Sequence, residues 1–310
     1  MPDGHYWVGP IGGLRPLPDQ LVPVAVGRTR VGGIHTSLSG ARTIDTFGYK
    51  RSWSWPFDGL TPRQTAYLDA LQQNIVRGPL RLIDPRRANR LPEQIATGGG
   101  VRRTPSGFHG SRGTLTWRAL SATTADPSTL PPAPLLRGLI GWVLPTTGPG
   151  TLSTVGDGPD GTWQCPVLPG ETVELSLYAA GSSGLLTSLG WREYTATGAV
   201  TTHLAAGAYP VPGSWQRRSI TITPAAGTVA VSPIVDIGAT SQAGTLLTTA
   251  WQIAVPGAET LPVGMVVASD PEPAGGWRIG GGAPQVAVDL GDHVDQPYQL
   301  AATTFTLLET

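Results

Sequence analysis

Glu171, Glu174 and Glu193 are the carboxyl groups from which glycoside hydrolysis would have to be assembled, because that reaction needs two carboxyls placed about one bond. Glu171 and Glu174 stand an odd number of residues apart on a strand-like run, so they face opposite sides, and no spacing singles out a pair. His5, His35, His109, His203 and His293 include no two at metal-ligand spacing. The single cysteine, Cys165, excludes an intrachain disulfide and the usual cysteine zinc sites. A Gly-x-Ser-x-Gly nucleophile turn is absent. Asp157-Gly158-Pro159-Asp160-Gly161 offers oxygens to a calcium ion, but the same string is the composition of a tight turn. The chemistry therefore points away from catalysis, and no metal or cofactor is expected.

Two kinds of side chain suit binding. Trp142, Trp163, Tyr178, Trp191, Tyr194, Tyr209, Trp215 and Trp251 crowd one stretch, where most serve as core and an exposed ring would stack on the apolar face of a sugar. Trp191 and Tyr194, near the polar, glycine-punctuated end of their strand, are the candidate carbohydrate contacts. Arg86, Arg87 and Arg90 lie in the polar run Asp84 to Arg90, where guanidinium forks suit bidentate pairing with carboxylates, and they are the candidate subunit-interface residues.

Elements with short periods must position these groups. Arg51-Ser52-Trp53-Ser54-Trp55 alternates, which places both tryptophans on one face of a strand. Thr61 as N-cap, Pro62 in the first turn and Gln64 closing a capping box predict a helix from Pro62 to Val76, with Leu68, Leu71 and Ile75 as its apolar stripe and Gly78-Pro79 as its stop. This helix is expected, like the arginine loop, at subunit contacts. Gly98-Gly99-Gly100 lacks the remainder of a phosphate loop. Residues 121–135 have a linker's composition. Beyond them, Gly138 to Leu144, Thr172 to Ala179, Leu186 to Tyr194, Trp215 to Thr223, Val229 to Ile237 and Leu246 to Ile253 read as short strands of an antiparallel sandwich or jelly roll. A second Pro/Gly-rich bridge, Asp270 to Gly276, precedes two last strand-like runs.

The expected organisation is mainly β: a β-barrel or sandwich domain with one helix over residues 1–127, an inserted antiparallel jelly roll over 128–265, and a return of residues 266–310 to the first domain. The composition agrees, since 42 Gly and 30 Pro among 310 residues disfavour long helices while 40% hydrophobic residues and ten Trp support a packed core. There is neither a signal peptide of the usual kind nor an apolar run long enough to span a membrane. Residues 1–120 hold 16 Lys and Arg against 7 Asp and Glu, and the remainder 5 against 14, so a neutral chain has halves of opposite sign. Twenty of the 21 basic residues are arginine, Lys50 being the exception, which reads as high-GC coding bias. The basic residues are spread and accompanied by no recognition motif, so specific nucleic-acid binding is not expected. Opposite-signed surfaces suit a subunit that orients its neighbours.

The runs Ser37-Leu38-Ser39-Gly40-Ala41-Arg42-Thr43-Ile44-Asp45-Thr46-Phe47-Gly48, Lys50-Arg51-Ser52-Trp53-Ser54-Trp55 and Gly78-Pro79-Leu80-Arg81-Leu82-Ile83-Asp84-Pro85, with the ending Gly276 to Val286, resemble minor tail proteins of long-tailed phages of high-GC bacteria, and within that group a distal tail protein. Val167 to Tyr178 and Gly213 to Thr221 resemble a carbohydrate-binding jelly roll. The resemblance implies a homo-oligomer, usually a hexameric ring, between the tail tube and tail-tip proteins, with a tube-like β-barrel domain inside and a sugar-binding-type domain outside. It implies a virion protein assembled in the host cytoplasm, a host cell-wall glycan as partner of the outer domain, and no cofactor or catalysis. The alternative reading is a secreted carbohydrate-binding protein or the accessory module of a glycosidase.

Overall fold

The computed structural model describes residues 5–18, 23–31, 34–36, 42–44, 48–85, 89–96, 98, 103–119, 138–156, 158–182, 184–205, 209–239, 241–256, 283–290, 294–296 and 300–310. The first strands are β1 (Trp7–Pro10), β2 (Arg15–Pro16), β3 (Ala25–Val31), β4 (Ile34–Thr36), β5 (Arg42–Ile44), β6 (Gly48–Leu60) and β7 (Leu80–Ile83), with helix α1 (Pro62–Gln72) between β6 and β7. Helix α2 (Glu93–Ala96) precedes β8 (Phe108–Gly110), β9 (Thr114–Ala119), β10 (Gly138–Leu144), β11 (Gly150–Thr154), β12 (Cys165–Pro166), β13 (Val173–Gly181) and β14 (Leu186–Thr195). Then come β15 (Val200–Leu204), β16 (Tyr209–Pro210), β17 (Gln216–Ile222), β18 (Thr228–Ile237), β19 (Gly244–Ala254), β20 (Gln285–Leu290), β21 (Val294–Gln296) and β22 (Leu300–Glu309). The chain divides into a sheet unit, residues 5–82 with 284–310, and a sandwich unit, residues 83–283.

In the sheet unit the strands follow the order β2-β1-β7-β20-β22-β6-β3, with β21 also pairing β22. The terminal strands hydrogen-bond back to β7 and β6, so this unit is discontinuous in sequence. Trp53 and Trp55 share one face of β6 and are fully buried with Tyr6, Val8, Leu68, Leu71 and Leu82. Trp55 sits opposite Phe305 on β22, their ring centroids 5.7 Å apart, and Tyr6 meets the Trp55 ring edge-on at 5.2 Å, so cross-strand aromatic packing closes the core. Among the described residues this sheet is open, ending at β2 and β3, and the tube-like closed barrel implied by the resemblance is not formed.

Helix α1 starts as its sequence dictates. The Thr61 hydroxyl accepts from the Gln64 amide and the Gln64 side chain accepts from the Thr61 amide. It ends earlier than the stripe predicts. Asn74 adopts φ +54°, and the amides of Asn74 and Ile75 turn back to the carbonyls of Leu71 and Ala70, a Schellman closure in which Asn takes the left-handed position usually given to Gly. Ile75 therefore falls outside the helix and is 66% exposed, while Val76 packs against the core.

The sandwich unit has one sheet in the order β17-β13-β19-β10-β9 and another in the order β15-β14-β18-β11-β8, with β12 added to β18 and β16 to β14. Numbering β10, β11, β13, β14, β15, β17, β18 and β19 from one to eight, the sheets read 6-3-8-1 and 5-4-7-2, which is jelly-roll connectivity. Leu175, Leu177, Trp142 and Trp251 from the first sheet interleave with Leu152, Val231 and Val235 from the second in one core. Strands β8 and β9 extend this sandwich by pairing with β11 and β10. The division between units thus falls at residue 83, not near residue 127, because a strand-forming run carries no local mark of which sheet it joins.

Candidate functional site

The side of the sandwich where β14 carries β15 and β16 collects the residues most relevant to binding. Thr187, Leu189, Trp191 and Glu193 alternate along β14 and so share a face. Trp191 pairs with His203 on β15, and Thr187 with Tyr209 on β16. Trp191 is half-buried. Its indole packs against the sandwich core on one side, stacks on the His203 ring at 5.0 Å and 15° on the other, and donates from Nε1 to Glu193 Oε1 at 2.9 Å.

Glu193 is buried and fully engaged. Its Oε2 accepts from the Thr228 hydroxyl at 2.8 Å and the Ala225 amide at 3.1 Å, and His203 Nε2 lies 3.6 Å from Oε1. Burial alone would raise this carboxyl. The donors Trp191, Thr228 and the Ala225 amide, with His203 beside them, outweigh it and hold Glu193 below the ordinary glutamate range.

Tyr194 belongs to a separate network on the opposite face, as its three-residue spacing from Trp191 requires. It is fully buried, and its hydroxyl bonds the Thr162 hydroxyl and donates to Asp160 Oδ2 at 3.0 Å. A ring in that position is structural and offers no face to a sugar. Asp160 accepts also from the Thr162 amide at 3.2 Å and hydroxyl at 2.6 Å, and its Oδ2 takes Arg192 Nη1 at 2.8 Å. Burial opposes its charge, but the bonds from Thr162 and Tyr194 and the Arg192 guanidinium hold it below the usual aspartate range. Both oxygens of Asp160 are thus committed to the protein; Asp157, the other aspartate of that turn-like string, lies outside the described residues. No group of three metal-ligating side chains converges among the described residues.

The remaining carboxyl candidates are likewise occupied. Glu171 receives a bidentate fork from Arg90, Nη1 to Oε2 at 2.7 Å and Nη2 to Oε1 at 2.5 Å, and accepts the Leu168 amide. Glu174 pairs with Arg217. Arg90 is itself buried, with Nη1 also donating to the Pro166 carbonyl at 3.0 Å, so its fork fastens the segment before α2 to the sandwich and is not presented to a neighbouring subunit. Arg86 and Arg87 lie outside the described residues.

Tyr209, not nominated among the sequence candidates, is 46% exposed, with the Arg218 guanidinium 5.4 Å from its ring centre. Trp142, Tyr194, Trp215 and Trp251 are all buried. The signal was local: Tyr209 stands between Gly207-Ala208 and Pro210, a composition that keeps backbone at the surface. An exposed aromatic ring with a guanidinium beside it makes an amphipathic strip able to stack on one side of a sugar ring and hydrogen-bond its hydroxyls.

The sheet unit has its own open groove of about 410 Å³ between α1 and the β1–β2 turn, lined by Pro10, Arg15, Arg63, Ala66, Tyr67 and Val76, among others. Arg15 lies 4.8 Å over the Tyr67 ring, and the Tyr67 hydroxyl donates to the Val8 carbonyl at 2.9 Å. Burial pushes the Tyr67 phenol up to about 12 against the lowering pull of Arg15, so it remains a neutral donor. No described helix is long and apolar enough to cross a membrane.

No protein-family model matches the chain, and no curated protein matches it in sequence. Among solved structures it is similar to the enzymatically active domain of bacteriophage CBA120 tailspike protein 4, at 13% identity and TM-score 0.41 over 54% of this chain and 21% of the tailspike chain. It is also similar to a carbohydrate-binding module of the β-sandwich superfamily, at 14% identity and TM-score 0.37 over 81% of this chain and 86% of the other. A third similarity is to the CBM22-1 xylan-binding domain of Paenibacillus barcinonensis Xyn10C, at 16% identity and TM-score 0.33 over 49% and 86%.

Proposed function

We propose that the chain is a structural, non-catalytic component of a phage tail, which assembles through its sheet unit into a ring at the distal end of the tail tube and meets host-surface glycan through its jelly roll. The observation that carries this reading is the insertion itself: the chain leaves the sheet at β7 and returns at β20, two neighbouring strands, so an intact sheet carries a complete second domain. A protein that must both assemble and recognise gains from that separation. The sheet unit supplies an apolar groove rimmed by Arg15 and Arg63 for a neighbour, and the jelly roll supplies the strip of Tyr209 and Arg218 for a sugar. The engagement of Glu171, Glu174 and Glu193 in internal bonds supports binding over hydrolysis. Host cell-wall glycan is the proposed ligand, and the virion tail tip the proposed location.

The test uses the full chain. Electron microscopy and light scattering should show a closed ring, and the ring should be retained on host cell-wall glycan. Tyr209→Ala should weaken retention by about tenfold per site, the scale of one lost aromatic stacking contact, without altering assembly. A chain that stays monomeric at every concentration removes the ring; retention unchanged by Tyr209→Ala removes the glycan strip.

A further inference from the structure

Strand β15 is the edge of its sheet, and its hydrogen-bonding phase can be read from the bonds at either end. The Thr195 amide donates to the Ala199 carbonyl at 3.0 Å, and the Ala205 amide to the Leu189 carbonyl at 2.8 Å. Bonded and non-bonded pairs alternate along an antiparallel ladder, so with the intervening register Thr201 and His203 direct their backbone groups toward β14. Val200, Thr202 and Leu204 direct theirs outward. Among the described residues β15 pairs with β14 alone. The side chains of the same three residues share one face, where Val200 is 42% and Leu204 49% exposed.

Edges of this kind are ordinarily guarded by lysine, proline or a bulge. The sequence Val200-Thr201-Thr202-His203-Leu204 has neither residue, and its register with β14 runs without a shift. It is also nearly symmetric about Thr202. Turned antiparallel on a second copy about that residue, Val200 falls opposite Leu204 of the second copy and Thr202 opposite itself. All the outward amides and carbonyls of Val200, Thr202 and Leu204 are then bonded, and each exposed aliphatic side chain gains an aliphatic cross-strand partner. A pairing one residue out of phase would leave those groups unmatched.

We propose that two copies of the chain join isologously through β15, extending the β14–β15 sheet across a two-fold axis into one continuous sheet. The contact is self-complementary and closes at two copies, so it does not propagate a ring; in a ring-forming protein it couples jelly rolls of two assemblies. On the other face His203 comes opposite Thr201 of the second copy, which places both Trp191–His203 stacks on one side of the joined sheet. The pairing depends on neither glycan binding nor the groove beside α1.

Because position 202 faces itself, charge placed there tests the geometry. Light scattering on the full chain, at concentrations up to about 0.5 mM because one short strand buries less than the ~1,600 Å² of a standard interface, should give Thr202→Lys and Thr202→Glu half the wild-type mass. An equimolar mixture of the two variants should regain the wild-type mass. Circular dichroism of each variant should match the wild type, since the exposed Thr202 side chain leaves the monomer intact. In the wild type, amide exchange at Val200, Thr202 and Leu204 should slow as concentration rises. Variants with the wild-type mass, a mixture that stays at the mass of its components, or exchange at these amides that is fast at every concentration would overturn the proposal.

Discussion

Glu193 stabilises the sandwich by keeping a charge where burial alone would remove it. Its folded carboxyl titrates below the unfolded one, so its contribution is fully present above the unfolded pKa and is lost as pH falls through the folded pKa. Glu193→Gln should cost about 1–3 kcal/mol at neutral pH, the price of disrupting a buried, charge-assisted acceptor. The difference from wild type should shrink as pH falls below the ordinary glutamate range and through the lowered folded value, where the wild-type carboxyl is itself protonated. Urea unfolding of both proteins across that range checks it; a constant difference would assign the effect to shape and not charge. At this scale the sequence was only partly legible. The odd spacing of Trp191 and Tyr194 already separates them onto opposite faces, but the burial of Tyr194 depends on Asp160 and Thr162, which are distant in the chain. The same holds for Arg90, whose partner Glu171 no local pattern names.

Among the elements, Trp53 and Trp55 and the start of α1 follow from alternation and capping, both of which act within a few residues. What local pattern leaves out is irregularity. Strand β19 shifts register against β13 between Ser176 and Tyr178, and opposite that shift Ala250 takes φ +51°, a left-handed conformation that costs a residue with a Cβ about 1–2 kcal/mol. The extra residue turns Trp251 into the core, where it lies 5.4 Å from Phe108. Ala250→Gly should raise stability by about 0.5 kcal/mol after the entropy of a freer unfolded chain is subtracted, and Ala250→Val should lower it. Thermal unfolding of the two variants decides; the reverse order would mean that the bulge carries no strain. Nothing in Thr249-Ala250-Trp251 announces the bulge, because its cause is the fit of two strands.

For the whole molecule, the turn-punctuated short strands made the jelly roll legible, whereas the strand partners that define the unit boundary were not. The insertion itself predicts that the sheet unit folds alone. The Leu82 amide donates to the Pro284 carbonyl at 3.1 Å, and Arg81 pairs with Gln285, so the two junctions are neighbours across one antiparallel ladder. Joining Leu82 to Pro284 by Asn-Gly, the preferred two-residue hairpin turn, in place of residues 83–283 should give a protein that unfolds cooperatively with Trp53 and Trp55 still shielded from solvent. Non-cooperative unfolding with red-shifted tryptophan emission would show that the sheet depends on the sandwich.

That adjacency of β7 and β20 also bears on how the gene can change. The codons for Leu82 and Pro284 bracket those of one continuous stretch of chain that begins and ends at neighbouring points on the sheet. A single in-frame exchange between those codons substitutes one inserted domain for another while every strand of the recipient sheet keeps its partners. Recombination between those codons would therefore exchange the inserted domain as a cassette and leave the sheet unit unchanged.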